Sequence, residues 1–249
     1  MKFIKIILKI ILISITLFCA FKIFDKEISY YKDDKENINI QKEVAKNNNV
    51  ENMDNKLLKI NRDYKLWIEI PNTKVNYPVV QASDNKYYLN HSFNKNINKC
   101  GTLFIYDKYN FKNSKNLIIF GHNMRNDSMF GTLTLFKDKK FFNENSVINI
   151  IHGDYIYKYE IFGVSTISAD NFKLRDNFDS KEEFQNYIDN LKYNSKNWRN
   201  IDVNLDSKLL TLYTCTYEFD DSRLIVISKL FKKIKLSQED IENINNIKK

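Results

Sequence analysis

The hydrophobic pattern of the chain begins with one long apolar run. Residues from about Ile6 to Phe24 are apolar apart from Lys9 and Lys22, and Ile10 to Phe21 is free of charge. A helix needs about 20 such residues to cross a bilayer core, and lysines near its ends can reach the interface. Residues 1–24 are therefore predicted to form a single transmembrane anchor.

Flanking charges predict how this anchor is oriented. Lys2, Lys5 and Lys9 lie at the start of the chain, and the positive-inside rule places such a terminus in the cytoplasm and the rest of the chain outside. The predicted localisation is the cell membrane, crossed once. Two alternatives stay open: a cleaved signal peptide, although no small-residue cleavage site follows the run, and a lipid at Cys19, which the bulky Phe18 disfavours.

A polar segment separates the apolar run from the rest of the chain. Residues 25–56 carry only a weak helical stripe, which predicts a partly helical stalk. Leu57–Leu66 is expected to be a short helix that leads into the folded domain, residues 57–236. The last residues, 237–249, are read as a polar tail.

Strand patterns dominate the domain itself. Apolar runs bounded by turn residues predict strands at 66–70, 76–81, 102–106, 117–120, 147–151, 155–167, 209–217 and 223–231. Helical periodicity is clearest over Ser180–Leu191, where Ser180 and Glu183 form a capping-box pattern, and a second helix is expected over Thr132–Phe142. The pattern predicts a mainly β fold, an antiparallel barrel or sandwich with one or two inserted helices.

Composition and charge narrow the functional classes. The chain has 249 residues, of which 43% are hydrophobic, and its three cysteines cannot form a disulfide framework. The net charge of +8 raises the question of nucleic-acid binding, but four of the lysines lie in the first 24 residues and no basic stripe remains beyond them. We expect no nucleic-acid partner. Zinc, phosphate-loop and calcium patterns are also missing from the sequence, so no metal and no cofactor is expected.

Thiol chemistry is the sharpest remaining candidate. In the predicted strand that ends at Cys215, Leu210 and Leu212 suit the core, so by strand alternation Cys215 faces the other side. The next strand begins at Arg223, and a short hairpin can bring it opposite Cys215, at roughly 5 Å. A guanidinium there favours the thiolate and offers hydrogen-bond donors to a developing oxyanion.

His122 is the candidate acid and base. It follows the buried run Leu117–Gly121, and an imidazole at a strand end can protonate a leaving amine and later deprotonate an incoming one. The sequence does not place His122 beside Cys215. The plain alternative, a half-buried cysteine, a loop histidine and a surface Arg223, stays open on these residues alone.

Several segments resemble one known family. Thr211-Leu212-Tyr213-Thr214-Cys215, with Arg223 eight residues later, resembles the sortase signature Thr-Leu-x-Thr-Cys…Arg, and Phe120-Gly121-His122-Asn123 resembles the Gly-His strand end of that family. Segments 76–81, 84–89 and 101–104 are similar to class B sortases in particular. The resemblance spans about residues 57–231, in the order that the family has.

This resemblance implies a fold and a reaction. It implies an eight-stranded sortase-type β-barrel with N-terminal helices and a helix between the sixth and seventh strands. It also implies a transpeptidase in which Cys215 attacks the carbonyl after Thr in a C-terminal sorting signal and forms a thioacyl enzyme. His122 would protonate the leaving amine, and Arg223 and the backbone N–H of Thr216 would stabilise the oxyanion. A cell-wall precursor amine would then release the product.

The resemblance also points to groove residues. Thr214, and less directly Asn85 and Leu89, match positions that line the substrate groove in class B members. Tyr213 departs from the serine common there, and it can reshape the groove because it shares a strand face with Cys215. The resemblance implies a sorting motif of the Asn-Pro-x-Thr type or the Ser/Pro-Pro-x-Thr-Gly type, and the departure at Tyr213 leaves the choice between them open.

Two other functions remain open. The same fold could polymerise pilin subunits through a lysine nucleophile, or the domain could be a catalytically silent, membrane-anchored binding module. A papain-like protease is disfavoured because Cys215 lies near the C-terminus. Asp220 and Asp221 are expected mainly to solvate their loop. The Lys-, Asn- and Ile-rich composition, with the resemblance, suggests a Gram-positive source.

Overall fold

The computed structural model of the protein describes residues 2–45 and 50–237. Its α-helices are α1 Lys2–Ala45, α2 Val50–Ile60, α3 Lys139–Glu144 and α4 Lys181–Tyr193, and its 3-10 helices are Tyr87–Leu89 and Gly131–Lys137. Its strands are β1 Tyr64–Glu69, β2 Asn76–Val80, β3 Leu103–Ile105, β4 Asn116–Phe120, β5 Val147–His152, β6 Tyr155–Ser168, β7 Ser195–Trp198, β8 Leu209–Cys215 and β9 Ser222–Lys235.

Eight of these strands close into a barrel. They follow the order β5-β1-β2-β3-β4-β8-β9-β6, and β5 also pairs with β6, which completes the ring. Neighbours are antiparallel except β2–β3 and β4–β8. The short β7 pairs with β6 outside the ring. The predicted mainly β, eight-stranded barrel is confirmed, and α4 lies between the sixth and seventh strands of the ring.

Strand alternation sorts apolar side chains into one interior and two outer layers. Leu210 and Leu212 of β8 belong to the barrel interior, as predicted. On the outside, Leu209 packs with the side chains of α4 in one layer, while Phe104 of β3 belongs to a second layer with Leu57 of α2. These two outer layers flank the barrel face that carries the end of β8.

The helices depart from the sequence expectations in three places. The first helix runs beyond residue 24 to Ala45, and its Ile40 is buried against the second outer layer. The helix expected over Leu57–Leu66 begins earlier and ends at Ile60, since Tyr64 is already in β1. The helix expected over Thr132–Phe142 is a 3-10 helix followed by α3, which Asp138 caps by accepting a hydrogen bond from the backbone N–H of Phe141.

The predicted cap of α4 is present. The Ser180 hydroxyl accepts a hydrogen bond from the Glu183 N–H at 3.1 Å. The Glu183 carboxylate reaches back to the N–H of Asp179, one residue before the cap, at 2.7 Å. The polar tail lies outside the described residues from position 238 onward.

Candidate active site

The hairpin between β8 and β9 places Cys215 opposite Arg223. Their Cα atoms are direct partners in the antiparallel register, and the Cys215 side chain is exposed on the outer face of the barrel. The N–H of Thr216 donates a hydrogen bond to the carbonyl of Ser222 at 3.0 Å and closes the hairpin. Thiol and guanidinium therefore share the hairpin end of two neighbouring strands.

His122 reaches the same end from the other side of β8. Strand β4 runs parallel to β8, with Phe120 beside Tyr213. The pairing continues one residue past Phe120, because the N–H of Gly121 donates a hydrogen bond to the Tyr213 carbonyl at 3.2 Å, so His122 directly follows the last residue in this backbone pairing. Arg223 on β9, Cys215 on β8 and His122 just after β4 are thus brought to the same end of three neighbouring strands, and we call these three residues the reactive row.

Two side chains hold the ends of β4 and β8 together. The Thr214 hydroxyl donates a hydrogen bond to the Gly121 carbonyl at 2.7 Å, and the Asn123 amide donates one to the Cys215 carbonyl at 3.0 Å. Thr214 is only 2% exposed, so in this structure its hydroxyl faces the strand junction and not the groove. Sequence reasoning did not identify Asn123, although it directly follows the histidine.

Among the described residues, the His122 imidazole has one defined hydrogen-bond partner. Its Nε2 lies 2.7 Å from the carbonyl oxygen of Leu89, which ends a 3-10 helix. A carbonyl only accepts hydrogen bonds, so this contact requires the proton on Nε2 and leaves Nδ1 free to exchange one. The predicted groove residue Leu89 thus contacts the histidine through its backbone, while its side chain is 40% exposed.

Asp221 is a partner of Arg223 that sequence reasoning undervalued. Its carboxylate accepts a hydrogen bond from the Arg223 guanidinium at 2.6 Å. Partial burial acts to lower the pKa of Arg223, but the Cys215 thiolate and the Asp221 carboxylate together raise that pKa above its ordinary value. Asp221 also adopts a positive φ of 57°, a conformation that Asp and Asn tolerate better than most residues. The loop backbone therefore aims this carboxylate at the guanidinium.

Lys137 fastens the loop after Cys215. Its ammonium donates a hydrogen bond to the Thr216 hydroxyl at 3.2 Å and forms an ion pair with Glu218. The hydrogen bond from Lys137 lowers the pKa of Glu218. This clamp joins the 3-10 helix that ends at Lys137 to the hairpin loop, and no sequence pattern indicated it.

Three aromatic rings, those of Tyr213, Phe120 and Tyr106, form a strip next to the reactive row, which we call the aromatic seam. Tyr213 packs against Phe120 edge to face, with ring centroids 5.4 Å apart, and Tyr106 lies 6.2 Å from the same ring. Burial raises the pKa of Tyr213 despite the nearby Arg223, so its hydroxyl stays protonated. Tyr213 belongs to the outer layer of α4 and Phe120 to that of α2, so the seam runs between the two layers.

Asn85 borders this seam less directly. Its side-chain amide is held by Asp107, donating to the carboxylate at 2.9 Å and accepting from the N–H at 2.8 Å. Of the other candidates for chemistry, Cys100 is buried in the barrel interior. Among the described residues no group of three or more His, Cys, Asp or Glu side chains is placed to hold a metal ion.

Comparison with known proteins identifies the family to which this fold belongs. A family model described as "Sortase domain" matches residues 68–231. Sortase B of Listeria monocytogenes is 32% identical over 180 residues, which covers 71% of this chain and 73% of that protein. A mutant form of Clostridium perfringens sortase B superposes with a TM-score of 0.70 at 34% identity, covering 73% of this chain and 87% of that one.

A further solved structure shares the fold. The Staphylococcus aureus sortase B–substrate complex superposes with a TM-score of 0.74, covering 84% of this chain and all of that one, at 24% identity. The closed eight-stranded barrel and these matches define a protein of the sortase class. The chain belongs to the sortase family, in class B, and is a cysteine transpeptidase.

The N-terminal helix fits this family assignment. Within the described residues, Phe3–Asp25 is the helical segment long and apolar enough to cross a membrane, and none of it is buried against the rest of the chain. A membrane anchor and a signal peptide share this length and composition. Sortases are membrane-associated proteins, and a segment of this length and composition fits such a protein.

Proposed function

We propose that the chain is a sortase that works through a thioacyl intermediate on Cys215. The thiolate attacks the carbonyl carbon after Thr in a sorting signal, the C–N bond breaks, and the His122 imidazolium gives its Nδ1 proton to the leaving amine and becomes neutral. A second amine then attacks the thioester, His122 takes its proton, and the thiolate leaves. The row formed by Arg223, Cys215 and His122 across three neighbouring strands carries this proposal.

Arg223 is proposed as the principal oxyanion donor. It lies opposite Cys215 in the register, and its positive charge is available throughout the physiological pH range. The N–H of Thr216 is proposed as the second donor. Because that N–H is bonded to the Ser222 carbonyl, its participation requires the hairpin bond to open or to be shared when the tetrahedral intermediate forms.

The aromatic seam is the proposed binding groove for the sorting signal. Tyr213 supplies its floor, Leu89 and Asn85 border it on one side, and Thr214 acts beneath it by holding the junction of β4 and β8. The expected signal is of the Asn-Pro-x-Thr or Ser/Pro-Pro-x-Thr-Gly type. The support is the class B relationship and the substrate complex of the Staphylococcus aureus relative.

The proposed partners are a surface protein that carries the signal and a peptidoglycan precursor that supplies the amine. In this arrangement residues 1–24 anchor the chain with its N-terminus in the cytoplasm, residues 25–56 connect it, and residues 57–236 act outside the cell. Lys2, Lys5 and Lys9 support that orientation. Pilin polymerisation and a silent binding module are the alternatives, and the assembled row of reactive side chains counts against the second.

The test is a peptide panel with the full chain in detergent micelles. Quenched fluorescent peptides carrying Asn-Pro-Gln-Thr-Asn, Ser-Pro-Lys-Thr-Gly and Leu-Pro-x-Thr-Gly are incubated with the protein and with Cys215→Ala, and products are read by mass spectrometry. We expect cleavage after Thr and an acyl adduct on Cys215, both lost in the variant. Adding a peptidoglycan-type amine or a lysine peptide ranks the acceptors. No adduct and no cleavage from a folded sample would refute the thioacyl proposal.

A further inference from the structure

The barrel has a second opening at the end farthest from Cys215. A cavity of about 280 Å³ lies there, where β4 and β8 begin and β9 ends. Its floor is apolar, with Leu66 almost fully buried, and its walls are aromatic, with Tyr109, Tyr157 and Tyr159 among the lining residues. Phe111 forms part of the rim and stacks on His152, with ring centroids 5.2 Å apart.

The phenol groups of Tyr109 and Tyr159 line this cavity. Tyr159 is only 7% exposed, and within the described part of the chain neither its hydroxyl nor that of Tyr109 has a hydrogen-bond partner. Burial raises the pKa of Tyr109 to about 12 and also raises that of Tyr159, so both hydroxyls stay protonated and able to donate. Both hydroxyls are thus donors at the cavity, and a bound ligand that carries an acceptor could pair with them.

The rim adds a cation without a carboxylate. Lys208 lines the cavity and donates a hydrogen bond to the Ser114 carbonyl at 3.1 Å. Across the described residues no Asp or Glu forms an ion pair with it, whereas its neighbour Lys115 lies 3.8 Å from Asp206. Partial burial and the charge of Lys115 lower the pKa of Lys208, and a bound anion would offset the repulsion between the two ammonium groups.

We propose that this cavity is a binding site for a small aromatic carboxylate. The ring would lie against the tyrosine walls, the carboxylate would pair with Lys208, and a polar substituent would accept from Tyr159. A volume near 280 Å³ lies at the small end of ligand pockets, which limits the ligand to about one or two rings. Among the described residues that line the site none is acidic, and the ammonium of Lys208 favours an anionic ligand over a cationic one. This site is independent of the thiol chemistry at the other end of the barrel.

The test is calorimetric titration of the full chain in detergent micelles with 4-hydroxybenzoate, with a protein-free micelle blank. We expect saturable binding to one site, weakened about tenfold or more by replacing the ligand with 4-hydroxybenzamide or by Lys208→Met, since either change removes a charge-assisted contact. Tyr159→Phe keeps the ring and should also weaken binding. Lys229→Met, whose ammonium contacts the Asp202 carbonyl outside the cavity, is the matched control and should bind as the parent protein does.

Two results would overturn the proposal. One is the absence of saturable binding up to about 10 mM ligand from protein that shows its normal thermal unfolding. The other is binding that the amide matches and that Lys208→Met leaves unchanged. Blocking Cys215 with iodoacetamide should not alter the affinity, and loss of binding on blocking would assign the ligand to the groove instead.

Discussion

The contact between Asp221 and Arg223 allows a sharp test of how the guanidinium acts. In Asp221→Asn the carboxylate is replaced by an amide of the same shape, and asparagine tolerates the positive φ of 57° at this position. The backbone of the loop should therefore be kept. What is lost is the charge-assisted hydrogen bond at 2.6 Å, so that the Arg223 side chain gains conformations that do not face Cys215.

The size of the effect follows from the exposure of the pair. The Arg223 and Asp221 side chains are 23% and 41% exposed, and an ion pair so open to solvent contributes at most about 1 kcal/mol. Loss of that orientation predicts a fall in kcat/KM for peptide cleavage of about fivefold. The rate at which neutral iodoacetamide alkylates Cys215 should not fall, because a negative charge near the thiolate disappears and the positive charge remains.

The two rates separate positioning from simple electrostatics. Asp220→Asn removes the same charge one residue earlier, and among the described residues Asp220 forms no ion pair with Arg223, so it is the matched control. Cleavage by Asp220→Asn should stay near that of the parent protein. If Asp221→Asn cleaves as fast as Asp220→Asn, or if its alkylation slows in step with cleavage, Asp221 does not position Arg223.

Two further changes test the junction and the core. Thr214→Val keeps the side-chain shape but leaves the Gly121 carbonyl without its hydroxyl donor, so we expect a loss of about 1 to 2 kcal/mol in stability and a lower kcat at unchanged KM; an unchanged kcat would contradict this. Glu69→Gln should raise the melting temperature near neutral pH, because burial raises the pKa of Glu69 and its ionisation therefore opposes folding as the pH rises. This gain should vanish below pH 4.5, the ordinary pKa of the side chain, and a gain that persists there would contradict the burial argument.

The local sequence pattern was sufficient to predict much of the fold. Alternation placed Leu210 and Leu212 inside and Cys215 outside, and a short polar loop predicted the hairpin that pairs Cys215 with Arg223, because both inferences use neighbouring residues only. The cap at Ser180 was predictable for the same reason. The helix expected over Thr132–Phe142 was wrong as a continuous helix, since Asp138 leaves helical geometry and caps α3.

The tertiary structure determined which residues lie next to the reactive side chains. Nothing local brings His122 to Cys215, which lies on a parallel strand more than ninety residues later, and only closure of the barrel sets that register. The bond from His122 to the Leu89 carbonyl is equally non-local. The sequence by itself determined which residues could take part in thiol chemistry. It also placed each of them at the end of a predicted strand. Their proximity depends on pairing between distant strands, because such pairing is selected by the packing of the whole core and by no single segment.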